Sequence, residues 1–255
     1  FLLFVVFWEA EIVPMYFLIA IWGTGRPRYS AMKFVVFTIV GGAFLIVGAL
    51  GLFLSPEIDT FAMVSIPDVG IVGITEKMVG AQLIAPAGLL FAFLFIALAV
   101  KLPLWPLHSW LPDAHTDAPT AVSVMLAGVL LKMGGYGMLR VGVGMFQKTS
   151  GFQVADIAWV LALLGTISVL YGAFVTIQQT DLKRLVAFSS VSHMGYVVLG
   201  LSAIVGVNGT VSDGALTGAA LQLFTHGTIS GLAFLMVGMT YARVHPSHIP
   251  HHGGL

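Results

Sequence analysis

Long apolar runs separated by short polar connections dominate the pattern of this chain. A helix needs about 20 mostly apolar residues to cross the hydrocarbon of a bilayer, at about 1.5 Å of rise per residue. About seven windows reach that length. They are residues 1–22, 33–54, 82–112, 119–145, 156–178, 184–206 and 215–242. Because the windows lack the alternation of barrel strands, the pattern predicts an all-α integral membrane protein that forms a single domain over residues 1–255.

The third window, residues 82–112, is too long for one straight span. Its roughly 30 residues would measure about 45 Å, against about 30 Å of hydrocarbon. Pro103 and Pro106 each remove a backbone donor and clash with the preceding turn, so we expect a break between residues 101 and 105 and a second half to about residue 112. The prediction is therefore a polytopic helix bundle of about seven transmembrane helices, one of them broken.

The loop after the broken helix carries further polar groups in the sequence LPDAHTDAP, residues 111–119. We expect Asp113 to interact with the helix that begins near Pro119. Asp117 or Thr116 is expected to cap the free amides of that helix. The loop would then tie the broken helix to the helix that follows it.

Five ionisable side chains fall near the middle of five different windows, where a charge costs about 2.5–3.5 kcal/mol on translocon scales. They are Glu9, Lys101, Lys132, His193 and His226. One such residue could be a structural partner or a lysine that snorkels to the surface. A row at one depth on separate helices instead indicates a proton or ion path along the membrane plane.

Both histidines also belong to polar stripes on one helix face. The stripes are Ser189, His193 and Tyr196 in one helix and Gln222, His226 and Ser230 in the other. Such a stripe can hold water, although hydrogen bonds that only join helices would give the same pattern.

Glu11 lies about 200° around an ideal helix from Glu9, so the two carboxylates are not expected to face the same seam. We assign Glu11 no role. Pro14 follows three residues later and predicts a kink in this first helix.

The amino-acid composition limits the kinds of chemistry that this chain can perform. The chain is 58% hydrophobic and 9% charged, against about 25% charged residues in ordinary globular domains. A net charge of zero provides no basic field for nucleic acid. The absence of Cys excludes disulfides, thiolate zinc and cysteine-ligated iron–sulfur clusters, so we expect no cofactor in this chain and redox chemistry elsewhere. The histidine-rich residues 245–252 contain two prolines and no carboxylate, which favours a loop over a metal site.

Four stretches carry a family resemblance. They are FWEAEIVPMYFLIAIWG at 7–23, KLPLWPLHSWLPDAHTDAPTAVSVMLAGVLLKMGGYGMLR at 101–140, DLKRLVAFSSVSHMGYVVLG at 181–200 and HGTISGLAFLMVG at 226–238. The chain resembles the antiporter-like membrane subunits of respiratory complex I, most of all the M-type subunit called chain 4 in mitochondria. Its wider relatives are the L-type and N-type subunits and the large subunits of multisubunit Na⁺/H⁺ antiporters.

The resemblance implies a fold of about fourteen helices with two inverted five-helix repeats, each containing a broken helix. This chain, which opens inside an apolar run, is expected to be an excerpt covering about helices five to eleven. By the same resemblance Glu9 matches the essential glutamate, Lys101 its partner on the broken helix, and Lys132 the central connecting lysine. His193 and His226 match histidines of the polar axis.

The expected function is proton translocation in an NADH:quinone oxidoreductase, as a non-redox subunit beside the L-type and N-type subunits. A lysine suits this role because burial favours its neutral form and a neighbouring carboxylate favours its charged form. A bacterial inner membrane is favoured over a mitochondrial inner membrane. Two alternatives stay open at this point: a secondary Na⁺/H⁺ antiporter subunit that uses the same residues, and a passive scaffold whose polar axis only joins helices.

Overall fold

A computed structural model describes residues 1–146, 149, 151–204, 212–244 and 249. In chain order its α-helices are α1 (Leu2–Ala10), α2 (Ile12–Trp22), α3 (Pro27–Phe53), α4 (Ile74–Lys77), α5 (Ala87–Lys101), α6 (Trp110–Asp117), α7 (Thr120–Met125), α8 (Leu131–Met138), α9 (Ala158–Ile177), α10 (Leu182–Ala203) and α11 (Asp213–Val244). Two π-helical segments, Leu126–Leu130 and Leu139–Val143, and two 3-10 turns, Pro67–Val69 and Val154–Ile157, lie between them. The histidine-rich stretch 245–252 lies outside the described residues except for Ile249.

Six helical segments of the described residues are long and apolar enough to cross a membrane. They are Leu2–Trp22, Pro27–Phe53, Thr120–Val143, Val154–Ile177, Leu182–Ala203 and Asp213–Arg243. The shorter apolar helix α5 adds one more element. Within the described ranges the only β-pairing is an isolated bridge between Ile66 and Ile71. The prediction of an all-α polytopic membrane bundle with one broken helix is confirmed.

The break falls where the prolines predict it. Helix α5 ends at Lys101, and the Ala99 carbonyl accepts a hydrogen bond from the Leu104 N–H because Pro103 has none to offer. The second half differs from the prediction, since α6 begins only at Trp110 and continues past Pro112 to Asp117. Pro112 is tolerated because it lies in the first turn of α6, where a backbone N–H has no partner within the helix.

Pro14 also shapes the first span, in which the predicted kink takes the form of an interruption. Helix α1 ends at Ala10, α2 begins at Ile12, and Glu11 forms the turn between them. Pro14 cannot donate to the Ala10 carbonyl, four residues earlier, and its ring crowds that carbonyl. Glu11 itself keeps right-handed helical dihedral angles, with φ −70° and ψ −23°, so the departure from regular helix geometry is small.

The acidic side chains of the polar loop after the break bind residues of α3 and α10, and not the helix that the sequence predicts. Asp113 binds Lys33 of α3 at 2.7 Å and Arg184 of α10 at 3.4 Å. Asp117 accepts a 2.5 Å hydrogen bond from the Ser30 hydroxyl. No side chain caps α7, so the predicted caps are wrong. Pro119 stands in the cap position, and the acidic side chains find cations and a hydroxyl on neighbouring helices instead.

The C-terminal end of α6 is held by a buried lysine on α10. Lys183 is 7% exposed, and its ammonium donates a 2.8 Å hydrogen bond to the Ala118 carbonyl. The same ammonium lies 5.8 Å from the centre of the Tyr241 ring. A cation is favourable at this place because the last carbonyls of a helix carry partial negative charge. The contact fixes the broken helix against α10.

We expect Lys183→Met to destabilise the protein by about 1–2 kcal/mol, because the α6 carbonyls lose a charged donor. Thermal unfolding of the assembled protein in detergent measures this loss. Arg184→Met is the matched control: Arg184 is half exposed and its ion pair with Asp113 is long, so its loss is expected to change stability by less than about 1 kcal/mol. Equal effects of the two substitutions would contradict the capping role.

Candidate functional site

Lys101 lies at the centre of a group that we call the carboxylate–lysine cluster, formed by Glu9, Glu11 and Lys101. Lys101 is the last residue of α5 and is 1% exposed. Its ammonium forms an ion pair with the Glu11 carboxylate and lies 4.9 Å from the centre of the Trp8 ring. The proline break thus places a lysine inside the bundle, with one direct carboxylate partner and one aromatic face.

Glu9 occupies a different place in this cluster. Its carboxylate packs against Gly42 of α3, where any Cβ would overlap it, so only glycine fits at that position. The Oε1 atom of Glu9 is buried and has no hydrogen-bond partner among the described residues. Glu9 and Lys101 still attract each other electrostatically. Two carboxylates therefore interact with the ammonium of Lys101.

The pairing corrects the expectation from the sequence, in which Glu9 was the partner of Lys101 and Glu11 had no role. The direct ion pair is made by Glu11. The angular argument compares only the directions in which the two side chains leave the helix, and Glu11 lies in the turn between α1 and α2. A glutamate side chain is also long enough to reach back toward the seam that Glu9 faces.

A second group, the lysine–histidine cluster, is formed by Lys132, His193 and His226. The Lys132 ammonium lies 2.7 Å from Nδ1 of His226, across the contact between α8 and α11. It also donates a hydrogen bond to the Ala127 carbonyl in the preceding π-helical segment. An ammonium has no acceptor, so Nδ1 of His226 accepts this hydrogen bond when Lys132 is charged.

His193 extends the cluster from α11 to α10. Its ring centre is 5.4 Å from that of His226, and its Nδ1 lies 3.0 Å from Nε2 of Gln222. Only part of each predicted polar stripe makes hydrogen bonds to a neighbouring helix. The Ser189 and Ser230 hydroxyls donate to carbonyls of their own helices, at 2.7 Å and 2.5 Å, whereas Gln222 reaches the neighbouring helix.

The π-helical segment Leu126–Leu130 positions Lys132, the second residue of α8. Inserting a π turn widens the helix locally and leaves carbonyls that side chains can reach, and such turns are frequent at functional sites. The Ala127 carbonyl accepts from Lys132 and lies 3.5 Å from the Ser230 hydroxyl. The sequence carries no simple signal for this segment.

Lys132 also lines a cavity of about 680 Å³ between α7–α8 and α11. Its walls are mostly apolar, and Gly128 and Gly227 let the two helices approach within it. The cavity is open to the outside of the described bundle.

No hydrogen bond joins the two clusters within the described residues. Helix α8 nevertheless packs against the break, since a Cβ on Gly134 would lie 2.8 Å from the Leu102 backbone nitrogen. The structure thus brings the five predicted residues into two groups on adjacent elements, Glu9 with Lys101 and Lys132 with both histidines. The path that the sequence predicts through all five residues stays a prediction.

Sequence reasoning missed His115, which is fully buried on α6. Its ring stacks on Phe234 with centres 4.5 Å apart, and neither ring nitrogen has a hydrogen-bond partner in the described part of the chain. It interacts electrostatically with Lys132. The available signal was its place in the polar sequence LPDAHTDAP that follows the break.

The profile of the transmembrane family described as NADH:quinone oxidoreductase/Mrp antiporter, TM matches residues 1–255. NAD(P)H-quinone oxidoreductase chain 4-2 of Synechocystis sp. is 39% identical over 254 residues, which are 100% of this chain and 42% of the relative. The chain spans between 42% and 44% of the length of such curated relatives.

Solved structures agree with these relatives. Respiratory complex I from Thermus thermophilus has a chain that superposes with a TM-score of 0.81 at 29% identity, covering 100% of this chain and 50% of the other. The Mrp complex from Dietzia sp. shows the same fold, with a TM-score of 0.73 at 22% identity, covering 96% and 42%. Together with the helices and clusters above, these matches show that the chain belongs to the NADH:quinone oxidoreductase/Mrp antiporter family of membrane proteins, as an M-type, chain 4 member.

Proposed function

We propose that this chain forms part of a proton-translocating membrane subunit of an NADH:quinone oxidoreductase. The observation that carries the proposal is the lysine–histidine cluster, in which three ionisable side chains from three helices meet far from either end of their spans. Placing such groups at the depth of the hydrocarbon is expensive, and ionisable residues there mark ion or proton paths. The curated relatives named NAD(P)H-quinone oxidoreductase chain 4 supply the reaction class.

In this proposal Lys132 gives its proton to His226 along the 2.7 Å hydrogen bond to Nδ1. His226 then passes a proton toward His193, whose ring centre lies 5.4 Å away, a separation that one water molecule can bridge. Gln222 holds Nδ1 of His193 and so fixes the orientation of that ring. The chain of groups runs across helices and not along one of them, which gives a path parallel to the membrane.

The carboxylate–lysine cluster supplies the proton to this path. Lys101 takes a proton from a neighbouring carboxylate and passes one toward Lys132, because burial favours its neutral form and a carboxylate favours its charged form. Helix α8 packs against the break beside Leu102, so a shift at Lys101 reaches the helix that carries Lys132. The backbone groups freed by the break allow such a shift because they are not locked in helical hydrogen bonds.

The electron-transfer reaction is assigned to other subunits, because the chain has no Cys to hold an iron–sulfur cluster and no cofactor is proposed for it. Its partners would be the neighbouring L-type and N-type subunits and the surrounding lipid. A bacterial inner membrane is the proposed location.

Glu9→Gln tests the proposal. The isostere keeps the packing against Gly42 and removes the ionisable carboxyl group beside Lys101, so the proton gradient formed per NADH oxidised is expected to fall severalfold in vesicles containing the whole complex. Assembly on a native gel should be unchanged. Glu57→Gln, an exposed loop carboxylate, is the control and should behave as wild type. A wild-type gradient in Glu9→Gln vesicles would refute the proposed path.

A secondary Na⁺/H⁺ antiporter subunit is the alternative, and the fold shared with the Mrp complex favours it to that extent. Copurification separates the two. Peripheral flavin and iron–sulfur subunits bound to the protein would support the oxidoreductase, and small antiporter subunits would support the alternative.

A further inference from the structure

We propose that Glu11 is the fixed counterion of Lys101 and that Glu9 carries the exchangeable proton of the carboxylate–lysine cluster. This assignment rests on the proposed function. It gives the two carboxylates different roles in the step by which a proton enters the path. Glu11 is thereby a positioning residue that acts through Lys101.

The contacts of the two carboxylates differ in kind. Glu11 touches the Lys101 ammonium directly, at the end of α5. The Glu9 carboxylate lies against the α3 backbone at Gly42, and its buried Oε1 makes neither a hydrogen bond nor an ion pair within the described residues. The Oε1 of Glu11 also makes no hydrogen bond there, but it has the ion pair with Lys101. A charged oxygen would need a donor in such a place, whereas a protonated carboxyl is tolerated there at much lower cost.

The net charge of the carboxylate–lysine cluster gives a second reason to assign different protonation states to Glu9 and Glu11. Glu9, Glu11 and Lys101 carry a net charge of −1 if all three are ionised, and the described contacts of the cluster include no second cation. Two like charges at the depth of the hydrocarbon repel each other beside a single counter-charge, which favours a proton on one carboxylate. The retained proton belongs on the carboxylate without the direct ion pair, which is Glu9.

Glu11 lies in the turn between α1 and α2, from which its side chain, like that of Glu9 in α1, can approach Lys101. Because Pro14 ends α1 at Ala10, Glu11 stands in the turn and reaches Lys101. Trp8 covers the ammonium from another side, with 4.9 Å between Nζ and the ring centre. Lys101 is therefore held without Glu9, and Glu9 is free to change its protonation while the ammonium keeps a partner.

The test combines proton pumping with dicyclohexylcarbodiimide, a lipid-soluble reagent that attacks protonated carboxyl groups and spares ionised ones. Peptide mass spectrometry of the assembled complex is expected to find the adduct on Glu9 and not on Glu11. In Glu11→Gln, Lys101 takes Glu9 as its only counterion, so Glu9 ionises. Its labelling is then expected to fall about tenfold, together with the proton gradient per NADH oxidised, since a buried cation strongly favours an ionised partner.

Further variants keep the inference testable and separate it from the proposed function. Glu11→Asp keeps the charge and should retain labelling of Glu9, even if Glu11→Gln fails to assemble. The double variant Glu9→Gln/Glu11→Gln leaves Lys101 without a counterion and should lose assembly, which each single variant should keep. Glu57→Gln again serves as the control.

Three results would overturn the inference: an adduct at position 11 in the wild type, loss of the Glu9 adduct in Glu11→Asp, or unchanged labelling and pumping in Glu11→Gln. If Glu9→Gln does not pump while Glu11→Gln pumps normally, the inference fails and the proposed function stands. If Glu9→Gln itself pumps normally, the proposed function fails, whatever Glu11 does.

Discussion

Replacing Lys132 with Met is expected to remove proton translocation through this chain while leaving the complex assembled. Lys132 is the group that joins α8 to the histidines of α11 and α10. Without it a proton must cross the centre of the bilayer unaided, where a charge costs about 2.5–3.5 kcal/mol. The rate of translocation through this chain should therefore fall at least about tenfold, since each 1.4 kcal/mol of barrier is about a tenfold change in rate.

Assembly should survive because Met fills a similar space and adds no charge to the membrane, and the lost hydrogen bond to His226 is worth only about 1 kcal/mol. The measurement is the proton gradient per NADH oxidised in vesicles, beside a native gel. Met138→Leu, a volume-conserving change in the buried core of the same helix, is the matched control. Lost assembly in Lys132→Met, with a normal gradient in whatever complex remains, would favour a passive scaffold.

The helices could be predicted from the sequence because hydrophobic length and proline chemistry are local properties. The length of an apolar window can be read directly from the sequence. The missing N–H of Pro103 likewise disfavours a continuous helix at that position in any surroundings. The start of α6 at Trp110 was not predictable in this way. The indole N–H of Trp110 donates to the Val100 carbonyl at 2.9 Å, and a contact back across the break depends on tertiary packing.

The candidate site shows the same division between local and tertiary information. Depth along each window selected five residues, and of these Lys132 does meet His226. Their place at the membrane midplane stays a prediction. Neither depth nor an ideal helical angle tells which way a side chain turns, and so Glu11 was passed over as the partner of Lys101. His115 was missed for a related reason: its helix is too short to register as a span, and only the fold brings it to Phe234.

The break itself is expected to matter for coupling between electron transfer and pumping. Pro103 denies the Ala99 carbonyl its ordinary helical donor, and the Leu104 N–H takes that place at 3.0 Å. In Pro103→Ala the helical hydrogen bond can form, which extends α5 past Lys101 and encloses that lysine in a regular turn. Pro106 still disfavours helical geometry at Trp105, so the extension stops there and insertion should be intact.

A proline substitution biases the local backbone by about 0.4–1 kcal/mol, which is roughly a two- to fivefold change in a two-state equilibrium. We therefore expect the proton gradient per NADH oxidised to fall by about that factor in Pro103→Ala vesicles. Pro112→Ala is the matched control, because Pro112 lies in the first turn of α6, where a backbone N–H has no helical partner to gain. A wild-type ratio in fully assembled Pro103→Ala complex would mean that the break only relieves excess helix length. Lys101 would then owe its place to Glu11 and Trp8 alone.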